Sequence, residues 1–170
     1  MLSIKKCPVP ANTMLEKYLT TDGAYTDCYI TEVTELIAFP QFITAFYTTP
    51  LFKLERLILK VFTSKPSTDM DIRQLAEGNV KTFAAWTVEN RSENQLLMCD
   101  FLGCTRSWLM TVPVNTSRTR LYFGSAVMPE QNSKSIGLGF RVLLGFHKIY
   151  SRLLLYSAKL RIKSRLSREH

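Results

Sequence analysis

A chain of 170 residues with 46% apolar and 21% charged side chains has the size and composition of one globular domain. It is long enough to bury roughly 70% of the surface its unfolded form exposes, which excludes disorder and any need for a disulfide or metal staple. The net charge of +8 is uneven: from Arg141 onward eight Lys or Arg stand against one acid, a net +7, while the first 140 residues are almost neutral.

In chain order, Asn12–Leu19 predicts a short helix, and Tyr25–Val33, alternating and rich in β-branched and aromatic residues, predicts a strand. A helix is expected from near Pro40, carrying Phe42, Ile43 and Phe46. The next has Thr49 as its cap and Pro50 in its first turn, with Leu51, Leu54, Ile58 and Val61 as its apolar stripe. A third is signalled by Ser67–Asp71 at its start, Ile72, Leu75 and Ala76 inside it and Gly78 as its stop. Four β-rich runs follow, Phe83–Glu89, Gln95–Phe101, Thr105–Val112 and Thr119–Met128. Their gaps are too short for parallel crossovers, so they predict an antiparallel meander, with Tyr25–Val33 added at one edge. The chain closes with a long helix from Gly137 or Gly139 to Lys163. Val142, Phe146, Ile149, Leu153, Tyr156 and Leu160 form its expected core-facing stripe, and Arg141, Lys148, Arg152 and Lys159 its far side. The order predicts one α+β domain over 1–170, an antiparallel sheet of about five strands packed on a long C-terminal helix, with a basic tail at about 161–170.

Catalytic signatures are missing. His170 is the terminal residue, and His147 accompanies no nucleophile motif, so a boundary histidine is the expected reading and an enzyme is not favoured. No His, Cys or carboxylate cluster has metal-ligand spacing, and Gly137 and Gly139 lack the rest of a phosphate loop, so no cofactor is expected. Cys7, Cys28, Cys99 and Cys104 have no C-x-x-C spacing, and Lys5 and Lys6 precede no apolar leader. A reducing, cytoplasmic setting is therefore expected. No uninterrupted apolar run of about 18 residues predicts a spanning helix.

Alternation puts Arg106, Trp108, Met110 and Val112 on one face of a strand and Thr105, Ser107, Leu109 and Thr111 on the other. In the last strand Leu121, Phe123, Ser125 and Val127 oppose Arg120, Tyr122, Gly124, Ala126 and Met128. Mixed aromatic and polar residues on a helix-covered face fit either a pocket or a core whose Trp and Tyr groups find partners. As a pocket, Trp86, Trp108, Tyr122 and Tyr150 would be its wall, and Arg106 and His147 its anchors for a small apolar or amphipathic molecule. The basic surface of Arg141, Lys148, Arg152, Lys159, Arg161 and Lys163 has three readings: a solvated helix face complementing the helix dipole, which is favoured, an anionic-lipid contact, or a nucleic-acid contact.

Pro50–Arg56, Phe83–Trp86, Cys99–Leu109, Thr119–Val127 and Phe146–Ser151 resemble an uncharacterised family, domain-of-unknown-function family 2867, over about residues 24 to 160. That family is similar to the helix-grip superfamily of START, polyketide cyclase and pollen-allergen (Bet v 1-like, SRPBCC) domains. The resemblance implies an antiparallel sheet wrapped around a C-terminal helix, with a cavity for an apolar ligand between them. It carries no catalytic residues, and the expected five strands are fewer than full helix-grip domains have.

Overall fold

The structure is a computed structural model that describes residues 4–53, 68–128 and 138–169, with side chains of the last helix described over 149–165. Its frame is a seven-stranded antiparallel sheet formed by β1 (Lys5–Lys6), β2 (Tyr25–Val33), β3 (Thr82–Phe83), β4 (Trp86–Arg91), β5 (Gln95–Asp100), β6 (Thr105–Asn115) and β7 (Arg118–Val127). The spatial order is β1-β2-β7-β6-β5-β4-β3. The meander is thus as expected, but two short strands extend it beyond five. β1 lies outside β2, so β2 is not the edge. The run from Phe83 splits because Ala84 adopts a left-handed φ of 52°, turning the chain so that Phe83 faces Trp86 across a tight hairpin.

Three helices are described: α1 (Phe39–Tyr47), α2 (Asp69–Glu77) and α3 (Leu138–Glu169). Residues 50–53 are also helical, and Thr49 accepts the Phe52 N–H at 3.2 Å, as a cap should. The expected stripe positions Leu54, Ile58 and Val61 lie outside the described residues. α2 is closed at both ends. Thr68 and Asp71 exchange hydrogen bonds in a capping box, and Gly78 turns out of the helix at φ 83°. From β4, the Arg91 guanidinium then donates to the last-turn carbonyls of Leu75 and Ala76 at 2.5 and 2.6 Å, which fixes this helix end to the sheet. The expected helix at Asn12–Leu19 is only a 3-10 turn over Glu16–Leu19. The expected tail is not a tail through Glu169, because the helix continues to that residue.

The helices cover one face of the sheet. Tyr29, Val33, Leu96, Met98, Leu109, Leu121 and Phe123 point into that layer, against Phe42, Ile43 and Phe46 of α1 and Leu154, Leu155, Ala158 and Ile162 of α3. A second, smaller core lies on the opposite face. There the N-terminal segment lays Leu15 and Tyr18 over Cys28, Leu97, Trp108, Met110, Tyr122 and Ala126. The molecule therefore has three layers: helices, sheet and N-terminal strap.

The structure rotates α3 relative to expectation. Its buried row is Ser151, Leu154, Leu155, Ala158 and Ile162, whereas Ile149, Leu153 and Leu160 are 62%, 41% and 48% exposed. At 3.6 residues per turn the two rows lie about 180° apart. Ser151 and Ala158 explain the choice, since small side chains let the helix axis approach β2 and α1 closely, which the bulky row does not. The expected far-side cations are turned accordingly. Lys159 reaches Thr31 on β2 at 3.0 Å, and Arg152 lies over the Tyr29 ring at 5.4 Å. Side chains of Arg141, Val142, Phe146, His147 and Lys148 lie outside the described residues.

Gly124 marks the closest approach between sheet and strap. A Cβ there would stand 2.5 Å from Leu15 Cδ2 and 3.0 Å from both the Asp27 carbonyl oxygen and the Trp108 ring. Because one obstacle is backbone and another a fully buried indole, Gly124→Ala is expected to cost about 1–3 kcal/mol, read from the shift in urea midpoint.

Candidate functional site

The register sets a polar lane across the helix-covered face. Asp27 on β2 stands opposite Ser125 on β7, and Ser125 stands opposite Ser107 on β6. On one side this lane is bordered by the apolar row of Tyr29, Phe123, Leu109 and Leu96. On the other side Tyr25 opposes Val127, which opposes Thr105. Asp27 is 2% exposed, and Ser125 donates to its Oδ1 at 2.5 Å. Among the described residues its Oδ2 has no hydrogen bond of normal geometry. Trp86 Nε1 and Ser151 Oγ, on the same side of the sheet, are likewise buried without a partner among the described residues. Burying a carboxylate oxygen unsatisfied is costly, which sets this group apart from the polar groups of the core that have partners.

The tyrosines beside the lane register this environment. Burial pushes the Tyr29 hydroxyl up to about 12, and the Asp27 charge adds to the effect. Tyr25 is raised for the same two reasons. Both stay protonated at neutral pH. The lane therefore offers a carboxylate acceptor among neutral hydroxyl groups, walled by aromatic and aliphatic side chains.

The six sequence candidates do not share one cavity. Trp86 and Tyr150 are on the helix side, packed half-buried against its core. Arg106, Trp108 and Tyr122 are on the opposite face, beneath the strap, and His147 lies outside the described side chains. The alternation within each strand is as expected; what differs is the face that α3 covers. Trp108 is fully buried and donates to Gln95 Oε1 at 3.0 Å, an oxygen that also accepts the Met14 N–H, so its role is to tie down the strap. Tyr122 packs on it with ring centroids 6.1 Å apart. Arg106 is engaged throughout. Its Nε donates to Glu89 at 2.8 Å and to the Tyr18 hydroxyl at 3.0 Å, its Nη1 to the Gly103 carbonyl, and its guanidinium lies over the Tyr18 ring.

Sequence reasoning passed over Asp27, Ser125, Tyr25, Tyr29 and Ser151. The signal for the first was present: an aspartate at the in-facing period of a strand whose other members on that face are Tyr25, Tyr29, Thr31 and Val33. Ser125 carried the same mark among Leu121, Phe123 and Val127.

No family model, curated protein or solved structure matches the chain significantly. The architecture is helix-grip-like, with β2 leading into helices, the meander returning to pair with β2, and the closing helix laid across the sheet. No helix among the described residues is long and apolar enough to cross a membrane.

Glu89 is the hub of the strap's polar contacts. Burial raises its pKa, but hydrogen bonds from Lys17 and Tyr18 and the charges of Lys17 and Arg106 outweigh it and hold the group below the ordinary glutamate value. A depressed folded pKa gives stability that is present above the unfolded value and lost as pH falls through the folded one. Unfolding midpoints between pH 7 and pH 3 should therefore drop steeply below about 4.5 in the wild type. The drop should be shallower in Glu89→Gln, and equal slopes would remove Glu89 from this role.

Proposed function

We propose that the chain binds a small amphipathic molecule between the sheet and α3, with a hydroxyl or amine at its polar end donating to Asp27. The observation that carries this reading is the buried Asp27 carboxylate, whose Oδ2 has no hydrogen bond of normal geometry among the described residues, in a helix-covered layer bordered by apolar side chains. Ser125 holds the carboxylate's other oxygen in place, and the neighbouring row of Tyr29, Phe123 and Leu109 supplies apolar wall. The helix-grip-like architecture supports the reading, since in that superfamily the space between sheet and closing helix takes apolar ligands. The resemblance to domain-of-unknown-function family 2867 adds no support, since no family model matches the chain.

Native mass spectrometry of gently purified protein should reveal a bound small molecule. In titrations, fluorescent long-chain amines and alcohols should bind, and the matching carboxylic acids should not, because a second carboxylate would face Asp27. Asp27→Asn should weaken the amine by about tenfold or more. Equal affinity for amine and acid, or an unchanged affinity in the variant, would discard the site.

A second reading concerns the outer side of α3. Exposed Ile149, Leu153 and Leu160, with half-buried Tyr156, form an apolar row flanked by exposed Arg152, Lys163 and Arg165. Apolar side chains between cations match an anionic bilayer surface, into which such a row inserts while its flanks meet headgroups. A second copy would bring like charge against like, and a nucleic acid makes no use of the apolar row. Co-sedimentation with phosphatidylserine vesicles should be salt-sensitive and fall at least about tenfold in Ile149→Asp/Leu153→Asp, with little binding to neutral vesicles. If the double variant still sediments as the wild type does, the row plays no part.

A further inference from the structure

The strap meets the sheet at two of the four cysteines. β1 pairs with β2 through Lys5↔Ile30 and Lys6↔Tyr29, and the next step of the ladder sets Cys7 opposite Cys28. The Cys7 N–H donates to the Cys28 carbonyl at 3.0 Å. Hydrogen-bonded residues facing each other on antiparallel strands have Cα atoms about 5.5 Å apart. That lies inside the span of roughly 4.4–6.8 Å that disulfides bridge. The two sulfurs are 3.4 Å apart, so rotation about the Cα–Cβ bonds is enough to reach the bonding distance of about 2.05 Å.

The partners are unequal in the way a thiol switch requires. Cys7 is half-buried and Cys28 is 1% exposed. The hydrogen bond with Cys28 lowers the Cys7 pKa, and the Arg120 charge adds to this against the effect of burial. The same hydrogen bond and burial raise Cys28. A reachable, more acidic thiol beside a buried one is the arrangement of an attacking and a resolving cysteine.

We propose that Cys7 and Cys28 form a peroxide-responsive pair that closes to a disulfide and fastens the N-terminal strap to the sheet. The Cys7 thiolate attacks one oxygen of hydrogen peroxide, the O–O bond breaks, and the departing hydroxide takes up a proton as water, leaving a sulfenic acid. Cys28 sulfur then attacks Cys7 sulfur, the S–O bond breaks, and the hydroxyl leaves as a second water with the Cys28 proton. The two thiols together lose two electrons and two hydrogens, and the peroxide is reduced to two waters. A thiol reductant reverses the state. The strap so fastened carries Leu15 and Tyr18 into the outer-face core, so closure of the pair stabilises that whole layer.

The full-length chain, reduced and then exposed to low equivalents of hydrogen peroxide, should lose two hydrogens by intact mass, and peptide mapping should join Cys7 to Cys28. The melting temperature should rise by roughly 5–10 °C and return on reduction. Cys7→Ser should abolish both changes. Cys28→Ser, if it folds, should leave a Cys7 sulfenic acid that a dimedone probe labels. Cys99 and Cys104 are internal controls, each with its thiol donating to a backbone carbonyl. Peroxide that modifies these two while Cys7 and Cys28 both stay alkylatable would overturn the proposal. So would a Cys7 that proceeds to sulfinic acid without forming the cross-link.

Discussion

The pairing of β2 with β7 is the constraint on which the rest of the molecule depends. It joins residues 25–33 to 119–127 in unbroken antiparallel register, almost a hundred positions apart in the chain. A side-chain period of two means that a slip of one residue would exchange every group between the two faces. Tyr29 and Val33 would then leave the helix layer, and Cys28 and Ile30 would enter it. The register is held by mutual apolar demand on both sides, because the sheet is covered by helices on one face and by the strap on the other. Thr119 adds a local lock. It accepts the Ile37 N–H at 2.9 Å and donates to the Glu35 carbonyl at 2.8 Å, fixing the path from β2 into α1.

From that register follows the placement of the buried carboxylate. Asp27 lies in the helix layer because it shares the face of Tyr29, and Ser125 meets it because β7 presents it directly opposite. A buried carboxylate held at one oxygen and left open at the other is expensive unless something completes it. The hub of Glu89, Arg106, Tyr18 and Lys17 is the contrasting case. It carries more charged groups, but each is answered by another, and its work is to hold the strap. The same register sets Cys28 on the strap side, where β1 brings Cys7 to it.

α3 shows how a helix can be apolar on two sides and commit only one of them. Leu153, Leu154 and Leu155 are consecutive, so apolar groups point in nearly every direction at that turn. Burial of Leu154 and Leu155 leaves Leu153 outside. The choice rests on steric fit rather than on hydrophobicity: the row containing Ser151 and Ala158 sits close against β2 and α1.

Local chemistry written in the sequence was enough for the five longer strands and the main helices, though not for the two short strands β1 and β3 or the 3-10 turn at Glu16–Leu19. Periodicity located the central strands and the closing helix, Thr49 and Gly78 marked helix ends, and the short gaps demanded antiparallel pairing. Alternation also divided each strand into its two faces, with Trp108 and Arg106 on one and Ser107 and Leu109 on the other. Which face would lie under the helix was decided only in three dimensions. Both faces of the sheet, and both rows of α3, are apolar enough to be buried, and a period of two or 3.6 carries no sign for inside and outside. Long-range packing broke the tie, through the strap that claims Trp108 and Tyr122 and the small residues that draw α3 onto β2. The candidate site moved with that decision, from the tryptophan face to the lane of Asp27, Ser125 and Ser107.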